Sequence, residues 1–144
     1  MEFEPLFTPG IKDIDITHLN RLFLDPFAEQ IRRQNLINNF GIFLDMLRNI
    51  GISFEAWIDG SFATKKEEPN DIDIVFFYNQ ADLDSLSNDK KVEFENLKNH
   101  DLVKHRYNCD VYFVIDDIHD RGYWRGMFGF DRNENPKGIA RIRI

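Results

Sequence analysis

Ile58-Asp59-Gly60-Ser61 is followed, after nine residues, by Asp71-Ile72-Asp73-Ile74. Side chains two apart on a strand point to the same face, so Asp71 and Asp73 aim together while Ile72 and Ile74 face the opposite side. Two ionised carboxylates this close repel, and on a half-buried sheet that is costly without a cation. A hard divalent ion resolves the conflict, and Mg²⁺ typically takes one or two carboxylates plus substrate phosphate oxygens. A third carboxylate, Asp110, interrupts the otherwise apolar stretch Val111-Tyr112-Phe113-Val114 at its start and needs a partner of its own. Three strand carboxylates on one face can hold two metal ions about 3.5–4 Å apart, one activating a nucleophile and one on the leaving phosphates. Gly60-Ser61 supplies a phosphate contact. Glycine admits the backbone, the serine hydroxyl donates, and a following helix N-terminus favours anions. The set suits nucleotidyl transfer.

The elements that must position these residues read as α/β, or α+β, with a small mixed sheet flanked by helices. A helix is expected from Pro26 to Ile50, with Asp25 as N-cap and Gly51 as its stop. Leu36, Phe40, Phe43, Leu44 and Leu47 recur at three- and four-residue spacing and form its apolar stripe. Strands are expected at 53–59, 71–78, 108–115 and 138–144, the second having the densest β-branched and aromatic content. Residues 82–99 and 120–128 read as helical. Residues 1–24 read as an irregular arm, punctuated by Pro5, Pro9 and Gly10, with a short helix at 17–23 capped by Thr17. With 144 residues and no repeat or linker, one domain over 1–144 is expected, its core at 25–144.

Gly60-Ser61, Asp71-x-Asp73 and the later Asp110 resemble the signature of the nucleotidyltransferase superfamily that includes DNA polymerase beta, and especially its minimal single-domain bacterial members. The flanking Trp57 to Phe62 and Glu68 to Asp73 resemble short nucleotidyltransferase-like proteins. So do Asp131-Arg132-Asn133, the run Asn135 to Ile139, and the early Pro9-Gly10-Ile11. The resemblance spans nearly the whole chain, and none of the four elements is missing. It implies a nucleotidyltransferase fold in which Asp71 and Asp73 ligate both metals. Asp110 would complete the second site and act on the incoming hydroxyl, while Gly60 and Ser61 contact the nucleoside triphosphate. The implied reaction is Mg²⁺-dependent, with Mn²⁺ as a substitute. It moves a nucleoside monophosphate, by analogy from ATP, to an acceptor hydroxyl and releases pyrophosphate. The bacterial members further suggest a protein acceptor, such as the toxin of a toxin–antitoxin pair. Two other readings stand beside this one: modification of a tRNA end docked on the Arg121–Arg143 region, and a non-catalytic antitoxin or interaction module.

Other residues carry less. Lys65 and Lys66 could reach the triphosphate or the acceptor, but beside Glu67 and Glu68 they also read as a solvated loop. Lys104, His105 and Arg106 read as surface. The four histidines show no paired metal spacing. Cys109 reads as a packed strand residue facing away from Asp110, and Trp57 and Trp124 as core or partner contacts. The stretch from Asp131 to Gly138 has Pro136 where a calcium loop needs glycine, and so reads as a turn. A net charge of −7 argues against a general nucleic-acid coat, and no DNA partner is expected. Arg121, Arg125, Arg132, Lys137, Arg141 and Arg143 gather near the end as a modest anion-facing patch or a solvated face. No apolar run is long enough to span a bilayer, and one cysteine cannot form an internal disulfide, so a cytoplasmic protein is expected.

Overall fold

The computed structural model describes residues 3–144. Five strands form one mixed sheet: β1 Gly10–Asp13, β2 Glu55–Asp59, β3 Ile72–Tyr78, β4 Cys109–Ile115 and β5 Gly138–Arg143. Their spatial order is β1-β5-β2-β3-β4, with the β1–β5 and β3–β4 pairs parallel and both neighbours of β2 antiparallel to it. Among the described residues six α-helices surround the sheet: α1 Leu19–Phe23, α2 Ile31–Ile50, α3 Gln80–Asp84, α4 Asn88–Leu97, α5 His100–Tyr107 and α6 Ile118–Phe128. The expected mixed α+β class is the one found. Among the described residues no helix is long and apolar enough to cross a membrane.

The two faces of the sheet have different partners, and alternation along β3 assigns them. Ile72, Ile74, Phe76 and Tyr78 point into the main core beneath α2, against Leu36, Phe40, Phe43, Leu44 and Leu47. Val75 and Phe77 point the other way, with Trp57, Phe128 and Ile139, into a small cluster covered by α6. By the same parity Asp73 lies on the α6 face, at the end of β3 where this cluster stops.

Three expectations about elements are corrected. The long helix begins at Ile31 rather than Pro26. Asp25 is no cap, because the chain turns at 24–27 and Gln30 donates its side-chain amide to the carbonyls of Leu24 and Phe27. The helix does end as expected, at Gly51 with φ of 92°. The expected irregular arm at 1–24, of which residues 1–2 lie outside the described residues, is ordered over 10–13: β1 forms a parallel edge with β5, and Asp13 takes a bidentate bond from Arg141 at 2.6 and 2.8 Å. Four residues with mixed polarity are too short to display a strand period. In the short helical stretch after it the cap is Asp15, which accepts from Thr17, rather than Thr17 itself. The expected helix at 82–99 is divided into α3 and α4, capped by Asn79 and Ser87. A further helix, α5, stands where no element was expected, capped by Asn99.

Candidate active site

Three adjacent strands end together at the site. Register places Asp59 of β2 opposite Asp73 of β3, and Asp73 opposite Asp110 of β4. Asp71 lies two residues before Asp73, just outside the strand, so four carboxylates meet at one end of the α6 face. Gly60 follows β2 with φ 76° and ψ −165°, a conformation open essentially to glycine alone. A Cβ there would also overlap the Asp73 carboxylate, so the turn and the acid are fitted to each other. Ser61–Ala63 then forms one 3₁₀ turn, not the start of a longer helix, which corrects the expected helix N-terminus behind Gly60-Ser61.

The loop from Phe62 to Lys66 is held by a residue that the sequence reading overlooked. Arg33 of α2 is fully buried. Its guanidinium donates to the carbonyls of Phe23 at 3.0 Å, Phe62 at 2.8 Å, Thr64 at 2.9 Å and Lys66 at 2.8 Å. The planar group also lies 3.6 Å from the centre of the Phe27 ring. Burial pulls its pKa down to about 10, so it remains a cation at neutral pH. A signal was present: Arg33 occupies the same helical stripe as Leu36, Phe40 and Leu47, where a charge must have a reason.

Basic side chains balance the acids unevenly. His100 and Lys104, one turn apart on α5, face the site. The Nε2 of His100 hydrogen-bonds Asp110, and Lys104 Nζ lies 3.7 Å from both Asp71 and Asp110. Against the upward push of burial, hydrogen bonds from His100 and Asp73 and the charge of Lys104 hold Asp110 below the usual carboxylate range. Asp73 goes the other way. Burial, then the charge of Asp71 and the bond and charge of Asp110, push it up to about 8. Asp59 is raised to about 6 by burial, opposed by Lys137, whose Nζ approaches to 2.8 Å.

A cavity of about 490 Å³ opens on this end of the sheet, lined by Gly60, Ser61, Lys66, Asp71 and Asp73, with Phe130, Arg132 and Lys137 on its far wall. Among the described residues, no group of three or more His, Cys, Asp or Glu side chains is placed so that it could hold a metal ion. The donors that converge are all hard carboxylate oxygens, and Asp73 sits among like charges. This open, partial set fits an ion that takes few protein ligands and completes its shell from phosphate and water.

A family model described as a family of unknown function (DUF6932) matches residues 1–143. The chain belongs to that family. No curated protein and no solved structure matches it.

In this DUF6932 chain most of the residues singled out from sequence converge. Gly60, Ser61, Lys66, Asp71 and Asp73 line the cavity, and Asp110 meets Asp73 across β3–β4. Lys65 follows the solvated-loop alternative and not the phosphate one: it turns outward, 2.7 Å from Glu4. Lys104 is exposed as expected, and its Nζ lies 3.7 Å from Asp71 and Asp110 at the site's rim. His100 and Lys104 are four apart after an Asn N-cap, a spacing that puts both on one helix face. Cys109 is buried on the α2 side as expected, and burial raises its thiol to about 12. The C-terminal basic patch disperses. Arg121 pairs with Glu55 and Asp116, and Arg141 and Arg143 pair with Asp13.

Proposed function

We propose that the protein is a Mg²⁺-dependent nucleotidyltransferase, moving a nucleoside monophosphate from a nucleoside triphosphate, ATP by analogy, to an acceptor hydroxyl. The observation that carries this reading is the register Asp59–Asp73–Asp110 across three strand ends, with Asp71 beside it and Gly60-Ser61 on the same cavity. Asp71, Asp73 and Asp110 would hold the metal only together with triphosphate oxygens and water, since the three side chains do not form a metal site by themselves, with Mn²⁺ able to substitute. The bound ion would offset triphosphate charge and acidify the acceptor hydroxyl.

The chain's own groups supply the rest. The Ser61 hydroxyl and the Cβ-free backbone at Gly60 receive the phosphates, with Lys66 on the same wall. Asp110, kept ionised by His100 and Lys104, accepts the acceptor's proton. The acceptor oxygen bonds to the α-phosphorus, the bond to the β-phosphate's bridging oxygen breaks, and pyrophosphate leaves. Arg33 fixes the receiving loop from behind and touches no substrate.

Two observations favour a partner protein as acceptor. The chain carries −7 net charge, and Arg121, Arg141 and Arg143 are neutralised by acids rather than offered to an RNA stem. In this reading the protein works in the cytoplasm, where Cys109 stays a thiol.

The test is label transfer. Purified protein is incubated with Mg²⁺ or Mn²⁺, each α-labelled nucleoside triphosphate and cell lysate, beside an Asp71→Ala/Asp73→Ala variant. Label on a protein band that vanishes with the variant is the expected result. Label on RNA would move the acceptor to the tRNA class. Absence of label together with absence of metal-dependent triphosphate binding would leave a binding module and end the enzymatic reading.

A further inference from the structure

The far wall of the cavity is a loop with no role in holding the metal. Gly129 accepts from the backbone N–H of Lys137 at 2.8 Å, Phe130 bridges to Pro136, and Asp131 accepts from the N–H groups of Asn133 and Asn135. These bonds close residues 129–137 into a preformed hairpin. Its C-terminal end is pinned to the end of β2 by Lys137 and Asp59, which stands next to Gly60. The loop is therefore fixed relative to the phosphate-receiving turn, not merely near it.

That rigid loop presents an aromatic ring to open space. Phe130 is 44% exposed and lines the carboxylate cavity together with half-exposed Met127. A second cavity of about 630 Å³ continues outward and shares Phe130, Met127, Asp131 and Arg132 with the first. One end of this continuous groove holds carboxylates and a serine, and the other an apolar ring and a thioether beside cationic Arg132. Phe130 and Met127 are exposed side by side on the lining of both cavities, a contiguous apolar patch against the carboxylate site rather than a lone surface ring.

We propose that Phe130, with Met127 beside it, is the nucleobase platform of the site, the base stacking on the ring while the phosphates lie toward Ser61, Lys66 and Lys137. The inference rests on the nucleotidyltransferase reading and adds where the nucleoside end sits. Every base has a π-face, so a platform built this way favours nucleotides over inorganic polyphosphate more strongly than it favours one base over another.

Isothermal titration calorimetry with Mg²⁺ plus each of the four nucleoside triphosphates, and with Mg²⁺ plus inorganic tripolyphosphate, tests this on the wild type, Phe130→Ala and Phe130→Tyr. Phe130 is exposed, so neither variant threatens the fold. Phe130→Ala should weaken the tightest nucleotide about tenfold or more and leave tripolyphosphate within about twofold, and Phe130→Tyr should restore nucleotide affinity. Equal effects on nucleotide and tripolyphosphate, or none on either, would overturn the platform alone. So would a wild type that binds tripolyphosphate as tightly as any nucleotide. If the wild type binds neither, the platform and the nucleotidyltransferase reading fall together.

Discussion

Replacing Arg33 by lysine keeps the charge and removes the fork, which isolates what the guanidinium does. Arg33 makes five hydrogen bonds to the carbonyls of four residues, Phe23, Phe62, Thr64 and Lys66. A lysine ammonium has three donors radiating from one point and cannot reach acceptors arrayed around a planar group. At least one or two of those carbonyls would be left buried without a partner, at about 1–3 kcal/mol each. Loss of the guanidinium's stacking on Phe27 adds about 0.5–2 kcal/mol. For a single such carbonyl the sum is about 1.5–5 kcal/mol, a large share of the roughly 5–15 kcal/mol that holds a domain together. In urea, at about 2 kcal/mol per molar, the unfolding midpoint of Arg33→Lys should fall by about 0.8–2.5 M. Nucleotide affinity should fall as well, because the loosened segment carries Lys66 and follows Ser61. Metal affinity measured without nucleotide should not, because Asp71, Asp73 and Asp110 stand on or beside β3 and β4. A midpoint within about 0.3 M of the parent would refute the reasoning, since water or a shifted backbone would then satisfy the carbonyls as well as the guanidinium does.

Two further outcomes follow from the acids and the turn. The folded pKa of Asp73, raised to about 8, lies above its ordinary value of 3.8, so the folded state holds the proton more tightly than the unfolded one. Asp73's contribution to the stability of the metal-free protein is then fullest in acid and is lost as pH rises from about 4 to about 8, while the lowered Asp110 contributes with the opposite sign at lower pH. Asp73→Asn mimics the protonated acid and should stabilise the metal-free protein at pH 8.5 while flattening the decline between pH 6 and 8. The check is urea unfolding in EDTA at pH 5, 7 and 8.5, and a variant less stable than its parent at pH 8.5 contradicts the assignment. Asp59 contributes with the same sign up to about pH 6, so some slope should persist below that. Gly60→Ala forces a β-carbon into a backbone conformation with φ of 76° and against the Asp73 carboxylate. It should cost about 2–4 kcal/mol and remove label transfer at least about 100-fold, and an alanine variant within threefold of the parent in the transfer assay would show that the turn is not part of the site.

What could be read from sequence was what repeats or what costs energy locally. The stripe Leu36–Phe40–Leu47 and the run from Ile72 to Tyr78 each carry a period long enough to name the element and its buried face. Asp71 and Asp73 could be read because two acids two apart on a strand conflict unless something binds them. Helix α5 could not, since His100-Asp101-Leu102-Val103-Lys104-His105-Arg106-Tyr107 buries only Val103 and so shows no apolar stripe. Strand β1 earns its place from its partner: its four residues are held by β5 and by Arg141, over a hundred positions away.

The same distinction explains why half of the site was legible. The acids come from strand ends, where side-chain direction follows from position. Their basic counterparts come from α5 and from the loop at 131–137, where direction depends on how those segments dock. Lys104 reaches Asp71 and Asp110 because α5 packs beside β4, and Lys137 reaches Asp59 because the hairpin at 129–137 closes over the end of β2. Of the four acids, Asp73 is the one pushed up furthest, by burial and by the carboxylates of Asp71, Asp110 and Asp59, against the charge of Lys104. The basic groups therefore do not neutralise the cluster evenly. They hold Asp59 and Asp110 in place and leave the centre of the register with an excess of negative charge. A chain that needed only a stable sheet end would have placed an Asn or Ser at 73, at no loss to the register. Keeping an acid there is destabilising without a cation and favourable with one, and that difference is what the metal-dependent reading requires.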